Sequence, residues 1–325
     1  MINKPTSSVE LTPEQLTELG VLKSRFKNSL SKLMEEKGTH YEELDLSKIW
    51  VETDNLNKLY EQLSDLVLCL NDFRPLSPSQ AKNLQEVFDI EYTYESNGIE
   101  GNTLTLRETY FVVNKGLTID GKSMNEHLEA INHQDAIDYI RKLAEDKIEL
   151  TEKELLNIHS LVLRAIDKEN AGSYRKGNVR ISGSSYVFPN YPKVPDLMSD
   201  VFAFYEESKN AMHPVKLAAL MHEKIVTVHP FADGNGRTSR LIMNLILMKH
   251  GYPITIISSD RKKRDAYYDA LEQSQIAENL DAFERLIAQY AKEWLFKYLN
   301  MIAPNGYDDR QDKGYEFFKR IENII

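Results

Sequence analysis

A glycine-rich segment between two apolar helical patterns constrains the fold of this chain more than any other feature. It runs from His229 to Arg240 and reads H-P-F-A-D-G-N-G-R-T-S-R. The flanking apolar residues recur at helical spacing, and those after the segment lie on more than one face, which is typical of a buried helix. They are Leu217, Leu220, Met221, Ile225 and Val228 before it, and Leu241, Ile242, Leu245, Ile246 and Met248 after it. The pattern predicts a helix, a loop and a second helix that begins at about Asn235.

The residues of this loop are suited to binding phosphate. Gly234 and Gly236 let the backbone approach a ligand closely, and the free amides at a helix N-terminus point toward bound oxygen atoms. Arg237 and Arg240 are three residues apart, so they project from one helical face toward neighbouring phosphates. The spacing G-x-x-x-x-G-K-[S/T] is absent, which excludes a Walker-type ATPase loop. The loop therefore predicts an anion site.

Two further residues add chemistry to this anion site. Asp233 offers a hard oxygen ligand beside the phosphates, so we expect Mg²⁺ as a cofactor. His229 brings a proton acceptor that works near neutral pH. A single histidine is more often a packed structural residue, and a glycine loop alone is a weak signal. The combination within one short segment favours the functional interpretation.

The segment from His229 to Arg240 resembles the Fic family signature, H-P-F-x-[D/E]-G-N-G-R-x-x-R, at every position. The resemblance covers roughly residues 91–275 and includes three further short segments, Gly172–Arg175, Ile181–Ser184 and Val194–Pro195. It implies a mostly helical fold and an enzyme that transfers AMP from ATP to a hydroxyl group of a protein.

The resemblance also implies roles for the site residues. His229 takes the proton of the target hydroxyl, and Asp233 holds the magnesium ion. A related branch, which resembles the Doc toxins, has lysine in place of Gly236 and moves a terminal phosphate, so the glycine favours AMP transfer. Transfer of another group, such as UMP or phosphocholine, is a weaker alternative. The expected nucleotide-binding residues of the loop are Gly234, Asn235, Gly236, Arg237, Thr238, Ser239 and Arg240.

Residues 96–101 resemble an inhibitory motif of the family, [S/T]-x-x-x-E-[G/N], with Ser96 and Glu100 one helical turn apart. A helix end is predicted near Gly101. Our hypothesis is that Glu100 competes with the γ-phosphate of ATP for Arg240 and so restrains transfer. Some relatives with this motif also remove AMP from modified proteins, with the glutamate orienting water. The sequence does not favour addition of AMP over its removal.

A pair of aromatic residues is a candidate for the wall of the nucleotide site. Tyr267 and Tyr268 resemble paired tyrosines that line the base in several family members. Packing of both rings into the core of a helix bundle is an almost equally supported interpretation. Seven residues beyond Tyr268, where relatives often have asparagine, this chain has Gln275, so the details of adenine recognition stay open.

Helical patterns dominate the remaining sequence. Helix starts are predicted at Thr12–Pro13, at Ser77–Pro78 and at the capping box Thr105–Glu108, and an apolar stripe repeats at helical spacing from Phe283 to Tyr298. The segment from 172 to 195, which is rich in glycine, serine and proline, predicts a β-hairpin or extended flap. The expected fold is a mainly α, Fic-type bundle with a short β-hairpin flap beside the active site.

The motifs and helical patterns predict three regions in the chain. Residues 1–115 form an N-terminal helical region that carries the inhibitory motif. Residues 116–300 form the catalytic core, and residues 301–325 form a C-terminal tail.

The composition limits the possible partners of the protein and its cellular location. The chain has 40 lysine and arginine residues against 50 aspartate and glutamate residues, and this net charge of −10 argues against general binding of nucleic acid or anionic membranes. No apolar run approaches the ~20 residues of a membrane helix. The single cysteine, Cys69, excludes an intramolecular disulfide, and the N-terminal segment lacks a signal-peptide pattern, so we expect a cytoplasmic protein.

The sequence does not identify the target protein. ATP is the expected substrate, self-modification is expected, and a homodimer would be unsurprising. A different class stays open, namely a nucleotide-responsive interaction protein that binds ATP without chemistry. The intact His229 counts against this class, because binding alone needs no base.

Overall fold

The computed structural model describes residues 55–72, 74–180, 185–277 and 279–302 of the chain. These ranges are mainly helical and contain no β-strand, which confirms the predicted α class. The helices are α1 (Leu56–Asp72), α2 (Pro78–Ile99), α3 (Leu106–Lys115), α4 (Met124–Glu145), α5 (Glu152–Val162), α6 (Val194–Ser208), α7 (Pro214–Val228), α8 (Asn235–Lys249), α9 (Arg261–Ala277) and α10 (Asp281–Ile302), with a short 3-10 helix at Tyr191–Lys193. Within these ranges every helix is too short or too polar to span a bilayer.

The described residues form two compact units, one that includes residues 55–84 and 292–302 and another that includes residues 85–291. The second unit contains the predicted inhibitory motif together with most of the predicted core. The predicted helix starts at Ser77–Pro78 and Thr105–Glu108 are confirmed. The start at Thr12–Pro13 and the tail beyond residue 302 lie outside the described residues. The division of the chain into three regions stays a prediction.

The core of the larger unit is built around α8. Its apolar residues from Leu241 to Leu247 are all buried. A helix that is apolar on every face must be surrounded by other helices, and α8 packs against α4, α5 and α7. Because this helix begins at Asn235, its packing fixes the position of the loop that precedes it.

The end of α2 is a Schellman motif, and this motif sets the position of Glu100. The amide of Asn102 donates to the carbonyl of Asn97 at 3.0 Å, and the amide of Gly101 donates to the carbonyl of Gly98 at 3.1 Å. Gly101 has a φ of 98°, a conformation that glycine adopts without the steric penalty of a side chain. The predicted helix end near Gly101 is confirmed, and Glu100 is the last residue before the chain turns away.

The next two helices begin with capping boxes. At α3, the hydroxyl of Thr105 accepts from the amide of Glu108 at 3.2 Å, while the Glu108 carboxylate accepts from the amide of Thr105 at 2.7 Å. Ser123 and Glu126 repeat this arrangement at α4. Glu126 also accepts from the amide of Thr103 at 3.0 Å, so it fastens the segment that follows α2 to the start of α4.

The predicted β-hairpin flap is wrong for the described part of the segment, because residues 172–180 and 185–190 contain no strand. Residues 181–184 lie outside the described residues. Proline has no N–H to offer to a ladder of strands, and side chains bind the backbone groups that a strand would have paired. Arg175 donates to the carbonyl of Pro189 at 2.5 Å, and Asn178 accepts from the amide of Tyr191 at 2.9 Å.

Glu126 makes the stability of the larger unit dependent on pH. Hydrogen bonds from Thr103 and Ser123 lower the pKa of Glu126 from 4.5 to about 2. Its contribution is therefore complete above pH 4.5 and is lost as the pH falls through the folded value. We expect Glu126→Gln to cost about 1 kcal/mol at pH 7, a fall of ~2–4 °C in the unfolding midpoint, and much less at pH 2.

Thermal unfolding followed by circular dichroism at the two pH values measures this difference. Glu108→Gln is the matched control, because Glu108 caps α3 without binding Thr103. Equal midpoints for Glu126→Gln and the parent at pH 7 would contradict the assignment.

Candidate active site

Two left-handed residues bend the loop between α7 and α8. His229 has a φ of 52° and Gly234 a φ of 76°. Asn235 closes the loop, because its Oδ1 accepts from the amide of Phe231 and its Nδ2 donates to the carbonyl of the same residue, both at 2.9 Å. The side chain of the first helical residue thus holds the loop in one shape.

The N-terminus of α8 presents free amides. The first helical hydrogen bond runs from the amide of Thr238 to the carbonyl of Gly234 at 3.0 Å. The amides of residues 235–237 consequently have no acceptor within the helix. Such amides, with the helix dipole behind them, favour a bound anion. The predicted helix, loop and helix are confirmed, and the loop has the backbone of an anion site.

A cavity of about 730 Å³ opens in front of this loop, a volume typical of a small-molecule site. Nine of the predicted site residues line it, and they come from the end of α2, the loop, α8 and α9. They are Glu100, His229, Asp233, Gly234, Asn235, Gly236, Arg240, Tyr267 and Tyr268. The other four predicted residues are buried and do not line the cavity. They are Ser96, Arg237, Thr238 and Ser239.

His229 lies at the C-terminal end of α7 and lines the cavity. Its Nδ1 is 3.3 Å from the carbonyl of Val226, and since a carbonyl only accepts, Nδ1 carries the proton and Nε2 is the basic nitrogen. Burial lowers the pKa of His229 to about 4, so the imidazole is neutral at pH 7. The ring of Phe188 packs against it, with centroids 4.3 Å apart. A neutral imidazole is the protonation state that a general base requires.

Arg240 is almost fully buried, with its side chain 1% exposed, and its guanidinium binds the end of α2. Nε donates to the hydroxyl of Ser96 at 3.0 Å, and Nη2 donates to the Ser96 carbonyl at 2.9 Å and to Oε1 of Glu100 at 2.7 Å. Burial alone would lower the pKa of Arg240, but the charge of Glu100 and nearby tyrosine hydroxyls raise it above its usual value. The contact on which the inhibition hypothesis depends is therefore present.

Gly236 leaves the space that the carboxylate of Glu100 occupies. A Cβ atom at Gly236 would lie 2.3 Å from Oε1 of Glu100 and 3.0 Å from Nη1 of Arg240. No side chain fits there without moving Glu100. The carboxylate thus lies beside the first turn of α8, where the free amides and the helix dipole favour negative charge.

The carboxylate of Asp233 remains accessible at the same helix end. Its side chain is 65% exposed, Oδ1 accepts from the amide of Gly234 at 2.6 Å, and Oδ2 is 3.2 Å from Nη2 of Arg237. Arg237 is buried and also pairs with Glu129 at 3.2 Å, so its charge is already engaged by carboxylates.

The residues at this helix end fit a magnesium ion. The described part of the chain contains no cluster of three side chains suited to hold a metal. Mg²⁺ typically takes one or two carboxylates and completes its coordination with phosphate and water oxygens. Asp233, exposed beside an anion site, matches that requirement.

The two tyrosines of α9 occupy different environments, although both line the cavity. Tyr267 is 1% exposed and its hydroxyl is 3.0 Å from Nε2 of His222, so it is a core residue with one edge at the cavity. Tyr268 is 44% exposed, and its hydroxyl donates to the carbonyl of Ile99 at 3.2 Å. Gln275 also lines the cavity. Contact with a nucleotide base stays a prediction for all three residues.

The sequence analysis missed His159, which supports the loop without lining the cavity. His159 of α5 stacks on Phe231, with centroids 3.6 Å apart and an interplanar angle of 8°. Its Nδ1 accepts from the amide of Gly172 and its Nε2 donates to the carbonyl of Asp233, both at 3.0 Å. Burial lowers the pKa of His159 to about 4, which preserves this neutral form. No local signal reveals this role, because its partners are distant in sequence.

Comparisons with known proteins agree with this geometry. The model of the Fic/DOC family matches residues 149–247. Protein adenylyltransferase Fic of Drosophila grimshawi is 39% identical over 211 residues, which cover 64% of this chain and 42% of the relative. The corresponding protein of Culex quinquefasciatus is 36% identical over 248 residues, which cover 74% of this chain and 48% of the relative. The chain thus spans less than half the length of these curated relatives.

Solved structures extend the similarity to the fold. A glutamate-to-glycine variant of residues 134–508 of Fic-1 from C. elegans superposes with a TM-score of 0.66 at 32% identity, over 75% of this chain and 71% of that one. A Fic domain containing signaling protein from Bacteroides thetaiotaomicron gives a TM-score of 0.64 at 28% identity, over 78% of this chain and 98% of that one.

Replacement of His159 tests how the loop is held. His159→Phe keeps a ring for stacking but leaves the amide of Gly172 and the carbonyl of Asp233 without their partner, which costs about 1–3 kcal/mol. We expect a lower unfolding midpoint together with weaker ATP binding by calorimetry. His127→Phe, which changes a buried histidine that does not line the cavity, is the control and should keep its ATP affinity. Equal losses of ATP affinity in both variants would contradict the assignment.

Proposed function

The chain belongs to the Fic/DOC family, and we propose that it is an autoinhibited protein adenylyltransferase. It transfers AMP from ATP to the hydroxyl of a tyrosine, threonine or serine in a target protein. One observation carries the proposal, which is a neutral His229 lining the same cavity as the free amides at the start of α8. The name shared by the curated relatives, protein adenylyltransferase, supports the same activity.

His229 acts as the general base. Its Nε2 takes the proton from the target hydroxyl, and the oxygen attacks the α-phosphorus of ATP. The bond from this phosphorus to the β-phosphate bridging oxygen breaks, and pyrophosphate leaves. Amides at the start of α8 and the guanidinium of Arg240 stabilise the charge that develops on the phosphate oxygens. The pKa of about 4 keeps the base in its active form throughout the neutral range.

Asp233 is the residue that would hold a magnesium ion. When bound, the ion supplies charge neutralisation between the phosphates. The carboxylate is fixed for this role by the amide of Gly234, while Glu129 shares the charge of Arg237 and so limits its competition for Asp233.

Glu100 restrains the reaction by occupying Arg240. While the carboxylate binds this guanidinium at 2.7 Å, the γ-phosphate of ATP has no access to it, and the α-phosphorus is held away from His229. Displacement of reacting atoms by about 1 Å costs roughly a hundredfold in rate. ATP therefore binds in an unproductive position until the end of α2 moves.

The rest of the cavity wall would contact the adenine of ATP and the target protein. Tyr267, Tyr268 and Gln275 line the side that would accept adenine. The segment that includes Phe188 would align the target by pairing with its main chain. Self-modification would supply an acceptor when no target is present. The proposed protein is cytoplasmic and forms a homodimer.

A second candidate is removal of AMP from a modified protein. It is favoured by the position of Glu100, whose carboxylate lines the same cavity as His229 and so could orient a water molecule there. The two directions share one site and differ in the acceptor of AMP.

Labelled ATP separates these functions. We expect label from the α-position, and none from the γ-position, to reach protein in the presence of magnesium. Glu100→Gly should raise the transfer at least about tenfold, since it frees Arg240. The control Glu100→Gly with Arg240→Ala should return to the low level. Label from the γ-position would instead show a phosphotransferase, and equal low transfer in parent and Glu100→Gly would contradict autoinhibition.

Replacement of the base distinguishes an enzyme from a binding module. In the Glu100→Gly background, His229→Ala should lower AMP transfer by at least ~100-fold, because the proposed general base is removed. ATP affinity, measured by calorimetry, should change little. Retention of the transfer rate would contradict the role of His229.

A further inference from the structure

Arg175 is a buried arginine whose guanidinium binds backbone carbonyls. The residue is 4% exposed and lies in the segment between α5 and α6. In the described ranges no carboxylate lies within ion-pair distance of it, whereas Arg141, Arg237 and Arg240 all pair with carboxylates. Burial lowers the pKa of Arg175, although it remains a cation at neutral pH. A cation buried in this way is costly, so its hydrogen bonds must compensate.

The guanidinium joins three segments of the chain. Nε donates to the carbonyl of His229 at 2.8 Å, Nη1 to that of Gly177 at 2.9 Å, and Nη2 to that of Pro189 at 2.5 Å. The backbone amide of Arg175 donates to the carbonyl of Pro230 at 2.9 Å. The planar fork of an arginine makes these bonds at fixed angles, and a lysine ammonium cannot span three such positions.

Two groups support the imidazole of His229. One support is the carbonyl of Val226, 3.3 Å from Nδ1. The other is the ring of Phe188, which precedes Pro189 and packs against the imidazole with centroids 4.3 Å apart. Because Arg175 binds the main chain of His229 and that of Pro189, it fixes the distance between the base and the segment opposite to it.

We propose that Arg175 is a positioning residue for the transfer step. It holds His229 and residues 188–189 at a fixed distance from each other, so that the general base meets the target hydroxyl. This proposal rests on the proposed function, since it assigns the segment to the target side of the site. Arg175 itself touches neither ATP nor the reacting oxygen, and it does not line the cavity.

Two variants separate the geometry of Arg175 from its charge. In the Glu100→Gly background, Arg175→Lys keeps the charge and loses the fork, whereas Arg175→Gln loses both. We expect kcat for AMP transfer to fall about 30- to 100-fold in each, with KM for ATP changed less than about threefold, because the base is misplaced while the nucleotide site remains.

The pH profile separates the charge of Arg175 from its packing, because a loss of packing would expose His229 and raise its pKa in both variants alike. The charged groups facing His229 are Arg175, which lowers its pKa, and Glu100 and Asp233, which raise it. Only Arg175→Gln should therefore move the acidic limb of kcat to higher pH, and Arg175→Lys should leave it in place. Arg141→Lys is the control, because Arg141 is a partly buried arginine, with its side chain 15% exposed, whose partners, Asp89 and Asp138, do not line the cavity.

Nuclear magnetic resonance tests the proposal without any activity. In the parent, the Nε proton of Arg175 should exchange slowly with solvent, and contacts between the protons of Phe188 and His229 should be visible. Arg175→Lys should lose the ring contacts. Fast exchange of that proton in the parent, or an unchanged kcat in Arg175→Lys, would overturn the proposal. Absence of AMP transfer in the Glu100→Gly parent would contradict the proposed function alone, and the resonance data would still decide the role of Arg175.

Discussion

The buried charge of Arg240 is the constraint on which the rest of the site depends. Its side chain is 1% exposed, and an unpaired buried charge costs several kcal/mol, so a partner must be present in every state of the protein. In the structure this partner is Glu100, together with the hydroxyl and carbonyl of Ser96. In the proposed function, a nucleotide that binds productively replaces the carboxylate with a phosphate. Inhibition and catalysis would then be two ways of satisfying one guanidinium.

The surrounding structure is arranged so that only the partner needs to change. Asn235 closes the loop and His159 supports it, while the packed helix α8 fixes the amides that face the cavity. Glu100, in contrast, is the last residue before a glycine turn, and its side chain is 32% exposed. The end of a helix is less constrained than its interior. In the proposed function, the end of α2, which carries Glu100, is the element that moves.

The sequence predicts the local parts of this site well. The helix that ends near Gly101, the capping box at Thr105 and the loop before Asn235 depend on neighbouring residues, and all three are confirmed. The hairpin prediction fails because the glycine, serine and proline content of residues 172–195 does not reveal that Arg175 binds the backbone of Pro189. His159 stays hidden for a similar reason, since its partners come from distant segments. Whether Arg237 or Arg240 faces the cavity also depends on burial, which spacing along one helix does not fix.

In the proposed function, Glu100 and the terminal phosphate of ATP compete for Arg240. The most direct test measures the affinities of ATP and AMP for the parent and for Glu100→Gln by titration calorimetry. We expect the variant to bind ATP about tenfold more tightly, close to 1.4 kcal/mol, because the γ-phosphate gains the guanidinium. The affinity for AMP, which has no γ-phosphate, should stay within about twofold of the parent value. Equal gains for AMP and ATP, or no gain for ATP, would contradict the claim.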